Sequence, residues 1–530
     1  MWHAAYNGRG KFFSAQQPEE LETALNAAIS DIAERTATAA AVSINSAKLT
    51  TQSVVYLAQF NTNRWQGNLF AFKIVDLDTG ELAATPEWTA ADQLNSRNIV
   101  SNPRTILTHD GSDGAPFQWT DLSASQKDDL KTNPAGGVDP DAVGLARLEY
   151  LRGDRGNEGG GYFFRDRLSL LSDLVNSGPV FVGAPALNWP DTAPFPSATG
   201  TRYSEFKEDN KNRAGMVYAG SNGGMMHGFA EADGEEKLAY IAGNLFSTAS
   251  GEGLHYLTDP NYNHRYYNDL TPTVSDIYAD LGGGLKWNTV LVSGQRGGGR
   301  GIFALDVTDP GNFSEANADK IALWEFSNAD DADLGYTYSR PQIAMTNESP
   351  ARWVAIFGNG YNDTGDGKAK LFIVDIAKTS GGAWVLGTDY IKITTNSGSG
   401  VDRNGLATPA LADLDGNGTV DRIYAGDLKG QMWMFDLSGT SATAWTGAGA
   451  SLLFTTKGNE PITSKPTLAK HPTVSSDGTN APNVMVYFGS GQYLVNADKT
   501  NTDDLSLIHI SEPTRRRLES RVAACGWKTG

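Results

Sequence analysis

Residues 409–436 read PALADLDGNGTVDRIYAGDLKGQMWMFD, and our prediction of both fold and site starts from them. A proline opens a short apolar run, an acidic nonapeptide follows, and two more apolar runs flank a turn at Gly426–Gly430. These runs are short and have no helical period, so they predict β-strands joined by tight turns.

The same pattern recurs along the chain. Each copy has an apolar pair, one residue, a glycine, a short polar turn and an apolar strand, with a proline upstream. The glycines are Gly220, Gly294, Gly358, Gly426 and Gly489, and the prolines are Pro179, Pro272, Pro341, Pro409 and Pro466. A period of about 65 residues is typical of four-stranded propeller blades with long loops. We therefore predict a mainly β protein, a modified, quinoprotein-like β-propeller preceded by a small α+β region. A β-sandwich is the alternative, but it does not predict the repeat.

The nonapeptide predicts a metal site. Its oxygen-bearing residues alternate along the chain, and they are Asp413, Asp415, Asn417, Thr419 and Asp421. This is the spacing of the first nine residues of an EF-hand calcium loop, with Gly418 at the sharp turn and the Thr419 carbonyl as a ligand. Tyr424 replaces the usual twelfth-position glutamate, so Asp421 must supply the last carboxylate. Three crowded carboxylates and a flexible all-oxygen donor set favour Ca²⁺ over Mg²⁺. The alternative is an Asp/Asn/Gly-rich hairpin turn without metal.

Composition narrows the function classes. The chain has 530 residues, 59 glycines and a net charge of -18, which argues against a nucleic-acid partner. We see no apolar run of membrane-spanning length, no signal peptide and no catalytic motif of the metalloprotease, Walker or nucleophile-elbow kind. We expect His227, which lies in an apolar strand, to be a core residue.

We divide the chain into four parts. Residues 1–36 carry one amphipathic helix over 18–35, with acidic residues in its first turn. Residues 37–160 form a small β-rich region and linker. Residues 161–504 hold the propeller, which needs at least one blade more than the five repeats supply. Residues 505–530, with three consecutive arginines and the lone cysteine, are predicted to be a non-native tail.

The tripeptide Arg152-Gly153-Asp154 is a candidate receptor-binding motif, since this sequence is an integrin ligand when a loop displays it. The alternative is structural, because an arginine and an aspartate around a glycine commonly form a turn.

Several stretches together resemble one known family. They are Asn7–Gly10, Tyr150–Arg155, Phe164–Arg167, Leu257–Arg265, Ala304–Pro310, Gly358–Tyr361 and the acidic loop through Asp427. The resemblance is to the PilY family of type IV pilus biogenesis and tip-associated proteins, which includes the neisserial PilC adhesins. It extends from the N-terminus to about residue 500.

The resemblance implies a β-propeller with one bound Ca²⁺, held by the five residues named above. It places the protein on the cell surface or pilus, in the outer membrane or secreted, with pilins, pilus assembly proteins and the host-cell surface as partners. In the family, calcium occupancy is linked to pilus extension and retraction, and so to twitching motility and adhesion. Family members also carry a signal peptide and a von Willebrand A-type domain, so we expect residues 1–36 to be the end of a missing N-terminal domain. Some members have a second calcium loop before the Arg-Gly-Asp, but Ala135–Asp141 lacks its spacing.

We expect a protein that is not an enzyme, and two alternatives stay open. One is a quinoprotein-like dehydrogenase, for which Trp433 and Asp436 are the available stacking and basic residues. The other is a host- or glycan-binding adhesin without a pilus regulatory role. Its candidate aromatic residues are Tyr262, Tyr266 and Tyr267, beside His264.

Overall fold

A computed structural model of the chain describes residues 37–44, 53–77, 79–378, 382–474, 482–494, 498 and 507–511. The helix predicted over residues 18–35 lies outside the described residues, as does the predicted tail apart from residues 507–511. The described part forms six β-sheets, which confirms the mainly β prediction. None of its helices is long and apolar enough to cross a bilayer.

The first sheet has the order β1-β2-β3-β4, with β5 paired to β3. Its strands are β1 (Ala37–Ile44), β2 (Val54–Asn61), β3 (Gln66–Asp76), β4 (Glu81–Leu82) and β5 (Trp88–Thr89). Helix α1 (Ala90–Ser96) follows, and the Thr89 side chain caps it by accepting a hydrogen bond from the Asp92 amide.

The second sheet, which we call blade 1, has six strands in the order β7-β6-β11-β10-β9-β8. They are β6 (Ile106–His109), β7 (Gly114–Pro116), β8 (Val180–Val182), β9 (Met216–Gly220), β10 (Met225–Ala230) and β11 (Glu236–Ile241). The connections hold helices α2 (Ala124–Lys131), α3 (Asp141–Arg152) and α4 (Tyr203–Asp209). Strands β8 to β11 form the first sequence repeat, and β6, from the region 37–160, joins β11 in parallel.

Blades 2, 3 and 4 are four-stranded antiparallel meanders, and blade 5 has three described strands. Blade 2 is β12 (Thr273–Asp280), β13 (Leu285–Gly294), β14 (Gly301–Asp306) and β15 (Ala322–Ser327). Blade 3 is β16 (Gln342–Met345), β17 (Trp353–Gly358), β18 (Lys368–Asp375) and β19 (Tyr390–Gly398). Blade 4 is β20 (Ala410–Ala412), β21 (Arg422–Gly426), β22 (Gln431–Asp436) and β23 (Ala450–Thr455). Blade 5 is β24 (Thr467–Val474), β25 (Pro482–Gly489) and β26 (Leu507–Ser511).

Short helices complete the connections. Two are α-helical, α5 (Ala318–Ile321) and α6 (Ala442–Ala448). The 3₁₀ helices are Gly243–Leu245, His255–Thr258, Arg296–Gly298, Pro310–Asn312, Glu315–Asn317 and Lys457–Asn459.

The prolines and glycines of the sequence repeat lie at equivalent strand ends in all five blades. Each of the five prolines stands one residue before the first strand of its sequence repeat, where its missing N–H costs no ladder hydrogen bond. Each of the five glycines is the last residue of a second strand. The reason is space: a Cβ at Gly358 would lie 2.2 Å from the carbonyl oxygen of Leu406, and one at Gly426 would lie 2.2 Å from the Ile462 side chain. Chain segments that approach so closely exclude any larger residue.

The blades bury their apolar faces against one another. Between blades 2 and 3, Phe326 packs on Phe372 with ring centroids 5.7 Å apart. The first sheet packs on one face of blade 1, where Tyr56 stacks on Phe181 with ring centroids 5.9 Å apart. Because each blade is apolar on both faces, burial of these side chains stabilises the ring by about 1.5–3 kcal/mol per large residue.

A half-buried carboxyl group lies between blades 1 and 2. Glu325 on β15 accepts hydrogen bonds from the Tyr240 hydroxyl at 2.5 Å and the Gly243 amide at 2.6 Å. Burial raises the pKa of Glu325 to about 7, because the apolar interface penalises its charged form.

Candidate metal centre

The acidic loop joins β20 to β21 and so forms the first hairpin of blade 4. The hairpin is closed by the Asp421 amide, which donates to the Ala412 carbonyl at 2.9 Å. Gly416 and Gly418 have φ values of +79° and +89°, in the left-handed region that favours glycine. These two residues turn the chain back on itself, so that acids from both ends of the loop meet.

Three of the five predicted ligands come together as carboxylates. Asp413, Asp415 and Asp421 each place an oxygen within 4.8 Å of the others. Asp413 is exposed and accepts from the amides of Gly416 and Gly418, both at 2.7 Å, which fixes its orientation. An oxygen-only donor set of this charge fits a hard cation such as Ca²⁺.

The other two predicted ligands have their side chains engaged within the loop. Asn417 Oδ1 accepts from the Thr419 amide at 2.7 Å, and Asn417 Nδ2 donates to Asp415 Oδ2 at 3.0 Å. The side chain of Thr419 is buried, and its backbone carbonyl is the atom that the spacing nominates. Coordination by Asn417 and Thr419 stays a prediction.

Asp421 is the buried acid of the group, with 7% of its surface exposed. Its Oδ2 accepts from the Leu414 amide at 2.7 Å, and its Oδ1 accepts from Asn347 Nδ2 at 3.0 Å. Burial raises the pKa of Asp421, and repulsion from Asp415 and Asp413 raises it further. A cation bound beside this carboxylate would therefore offset the cost of its charged form.

Asn347, which the sequence did not indicate, ties the loop to blade 3. It lies between β16 and β17, and its Nδ2 also donates to the Val420 carbonyl at 2.9 Å. Its Oδ1 lies 2.5 Å from the Thr419 hydroxyl. The Val420 amide donates to the Met345 carbonyl at 2.9 Å, so the backbone joins the same contact. No local signal marks Asn347, because its role depends only on how the two blades pack.

A third part of the chain closes over the loop. A Cβ at Gly418 would lie 2.4 Å from the ring of Phe195, which belongs to the connection between β8 and α4. Phe195 is buried and stacks on Trp189 with ring centroids 5.1 Å apart. The loop is therefore held by blade 4, by blade 3 and by this aromatic pair.

The Arg-Gly-Asp tripeptide ends helix α3. Gly153 has a φ of +115° and provides the left-handed C-terminal residue of the helix. Arg152 is 8% exposed, and its Nη1 donates to the Phe117 carbonyl at 2.8 Å and pairs with Glu315 at 2.9 Å. Receptor binding by this tripeptide stays a prediction, and it would require the Arg152 contacts to open.

Trp433, which was considered for an enzyme, and His227 both lie in packed surroundings. Trp433 is buried and its indole N–H donates to Asp427 at 2.8 Å. His227 links Glu236, at 2.6 Å from Nδ1, to Ser221, at 2.9 Å from Nε2. The adjoining cavity measures about 40 Å³, which holds a water or two but no substrate. As expected, His227 is a core residue with both ring nitrogens hydrogen-bonded.

The tyrosines considered for an adhesin differ in exposure. Tyr267 is buried and donates to the Gly253 carbonyl at 2.8 Å. Tyr262 packs under the guanidinium of Arg165, 4.2 Å from its ring centroid. Tyr266 is 40% exposed and is the one of the three that faces solvent.

Comparison with known proteins identifies relatives that match most of the chain. The family model described as the PilY1 beta-propeller domain matches residues 171–516. The type IV pilus biogenesis factor PilY1 of Pseudomonas aeruginosa (strain UCBPP-PA14) is 34% identical over 538 residues, covering 94% of this chain and 43% of that protein. A PilY1 homolog of Xylella fastidiosa (strain Temecula1) is 30% identical over 541 residues, covering 95% of this chain and 35% of that protein.

A solved structure is also similar. The crystal structure of the Pseudomonas aeruginosa PilY1 C-terminal domain shares 30% identity and a TM-score of 0.47, over 62% of this chain and 63% of that one. The chain spans less than half the length of the curated relatives named above.

Proposed function

The chain belongs to the PilY1 beta-propeller domain family, and on that premise we propose that it is a calcium-binding surface protein of the type IV pilus machinery. The naming of its relatives as type IV pilus biogenesis factors supports pilins and pilus assembly proteins as its partners. Those names describe biogenesis factors and not enzymes, which supports a non-enzymatic role. In this proposal it acts at the cell surface or pilus and regulates extension and retraction, and with them twitching motility and adhesion.

One observation carries the proposal: Asp413, Asp415 and Asp421 bring carboxylate oxygens within 4.8 Å of one another in a glycine-turned loop. Bound Ca²⁺ would supply the positive charge that cancels their mutual repulsion. Asp421 would provide the inner carboxylate, fixed in place by its hydrogen bonds, and the two exposed acids would close over the ion. The Asn417 side chain and the Thr419 carbonyl would complete the oxygen shell.

The contacts of the acidic loop indicate how bound calcium would affect the binding of a partner protein. Asn347 and Phe195 join the loop to blade 3 and to the connection after β8. Ordering of the loop would therefore stiffen the boundary between blades 3 and 4 and the surface that they share. Calcium can change the affinity of the chain for a partner only as far as calcium itself binds one conformation of the chain more tightly than another. A tenfold change in that affinity requires a difference of about 1.4 kcal/mol.

Isothermal titration calorimetry with CaCl₂ tests the proposal. We expect wild type to bind one ion and Asp421→Ala to bind none, while circular dichroism shows that the variant stays folded. Because Asp421 is buried, the exposed Asp415→Asn serves as a second variant, and Asp319→Asn, an exposed acid outside the loop, as the matched control. Wild-type affinity in both loop variants would refute the assigned site. Twitching of cells that express Asp415→Asn, compared with Asp319→Asn, would test the regulatory role separately.

A further inference from the structure

Strands at the centre of the propeller surround an apolar channel of about 570 Å³, which we call the central channel. The second residue of the first strand in each of blades 2 to 5 lines it, and these residues are Val274, Ile343, Leu411 and Leu468. Leu187 and Trp189, from the connection after β8, complete the wall. The volume lies within the range of about 300–1,000 Å³ usual for small-molecule sites. Four blades thus present the same kind of side chain to one open cavity.

Two cations contact residues that line this channel. Arg340 donates from Nε to the Thr273 hydroxyl at 3.0 Å and from Nη2 to the Pro272 carbonyl at 2.5 Å. Lys465 donates from Nζ to Gln342 Oε1 at 2.5 Å. Lys465 lines the channel, and Arg340 is bonded to the lining residue Thr273, so one positive charge lies in the wall and the other directly behind it.

The two cations lack a counter-charge. Among the residues that the structure describes, Arg340 and Lys465 have no carboxylate partner, and their hydrogen-bond acceptors are all neutral. Burial lowers the pKa of Arg340. Lys465 is an exposed residue whose pKa is also lowered, by partial desolvation and then by the neighbouring charge of Arg340. In a chain with 61 acidic and 43 basic residues, acids are plentiful enough to pair every cation. Because neither cation has a carboxylate partner among the described residues, two positive charges remain beside an apolar cavity.

We propose that the central channel binds a carboxylate carried on an apolar body. The carboxylate would accept hydrogen bonds from Arg340 and Lys465, and the apolar body would lie against the ring of four aliphatic side chains. Arginine presents its donors in a planar fork that matches a carboxylate, and lysine adds a mobile charge. Two sources share this chemistry: a free fatty-acid-like amphiphile, and the C-terminal carboxylate of a partner polypeptide with apolar last residues. The site is separate from the acidic loop and needs no calcium.

Calorimetry on the full 530-residue chain in low-salt buffer tests the proposal, with sodium octanoate as the probe and octanol as the uncharged control. We expect saturable octanoate binding that weakens with added NaCl, and octanol binding at least tenfold weaker. Lys465→Gln should weaken octanoate binding by about tenfold, the loss expected for one charge-assisted hydrogen bond. Lys470→Gln, which replaces another exposed lysine, in strand β24 and outside the channel lining, should leave it unchanged.

A peptide probe and a charge-reversal variant complete the experiment. A tetrapeptide ending in Leu-Leu, with a free or an amidated C-terminus, distinguishes the two sources: tighter binding of the free acid than of octanoate supports a polypeptide, and the reverse supports an amphiphile. Lys465→Glu supplies the missing carboxylate to Arg340, so this variant should bind neither probe and should melt no lower than wild type. The proposal is overturned if wild type binds neither octanoate nor the free-acid peptide. Equal octanoate affinities of Lys465→Gln and Lys470→Gln would also overturn it.

Discussion

Replacement of Asn347 by alanine tests whether blade 3 positions the metal site. The variant removes the Nδ2 donor to Asp421 and the Oδ1 partner of Thr419, and it replaces no proposed ligand. A hydrogen bond to a charged group contributes about 1.5–3 kcal/mol, and loss of an outer partner of a ligand typically costs about 10–100-fold in metal affinity. We therefore expect the calcium dissociation constant of Asn347→Ala to rise by about tenfold or more.

The same change can be read from thermal stability. With calcium at 100 times the wild-type dissociation constant, binding stabilises the fold by about 2.7 kcal/mol. For a tenfold weaker variant at the same calcium concentration, the gain falls to about 1.4 kcal/mol. Chemical denaturation with and without calcium measures both gains, and Asn263→Ala, an exposed asparagine remote from the loop, is the control. A calcium-dependent gain equal to that of wild type in Asn347→Ala would refute the positioning role, whatever the effect on the calcium-free protein.

Three further predictions concern other parts of the fold. Gly418→Ala should destabilise the protein by about 1–3 kcal/mol in urea, because it forces a positive φ on alanine and drives a Cβ into Phe195; wild-type stability would contradict the loop geometry. Arg152→Ala should cost about 1–3 kcal/mol, because it removes the ion pair with the half-buried Glu315 and leaves the Phe117 carbonyl without its guanidinium donor, and an unchanged melting temperature would mean that Arg152 is not held inside. The native state holds the Glu325 proton more tightly than the unfolded chain, so stability should fall as pH rises from about 4.5 to about 7, by up to about 3 kcal/mol. Glu325→Gln should remove that part of the pH profile, and an unaltered profile would show that this carboxyl does not titrate in the window.

Much of the propeller could be predicted from local sequence. A proline before each first strand and a glycine at the end of each second strand are requirements of close blade packing, so they recur where the backbone needs them. The acidic loop could be placed in the first hairpin of blade 4 for the same reason, since its flanks, Ala410–Ala412 and Arg422–Gly426, are ordinary blade strands. These features depend on residues near one another in the chain, where periodicity and turn chemistry are informative.

Other features depend on contacts between distant segments. Strand β6 joins β11 in parallel across about 130 residues, and neither strand carries a mark of its partner. The first sheet packs on blade 1 through Tyr56 and Phe181, which read simply as apolar positions. Asn347 is likewise an unremarkable polar residue in a connection until blade 4 is placed against it. Such pairings come from tertiary packing, which a single sequence does not reveal.

The stack of Phe195 on Trp189 connects two regions that would otherwise be independent. Phe195 covers the acidic loop at Gly418, and Trp189 forms part of the wall of the central channel. If an occupant of one region moves this pair of rings, the other region must respond, and thermodynamic reciprocity makes the two effects equal in free energy. A titration of either region in the presence and absence of the other's ligand would therefore measure a single shared coupling constant.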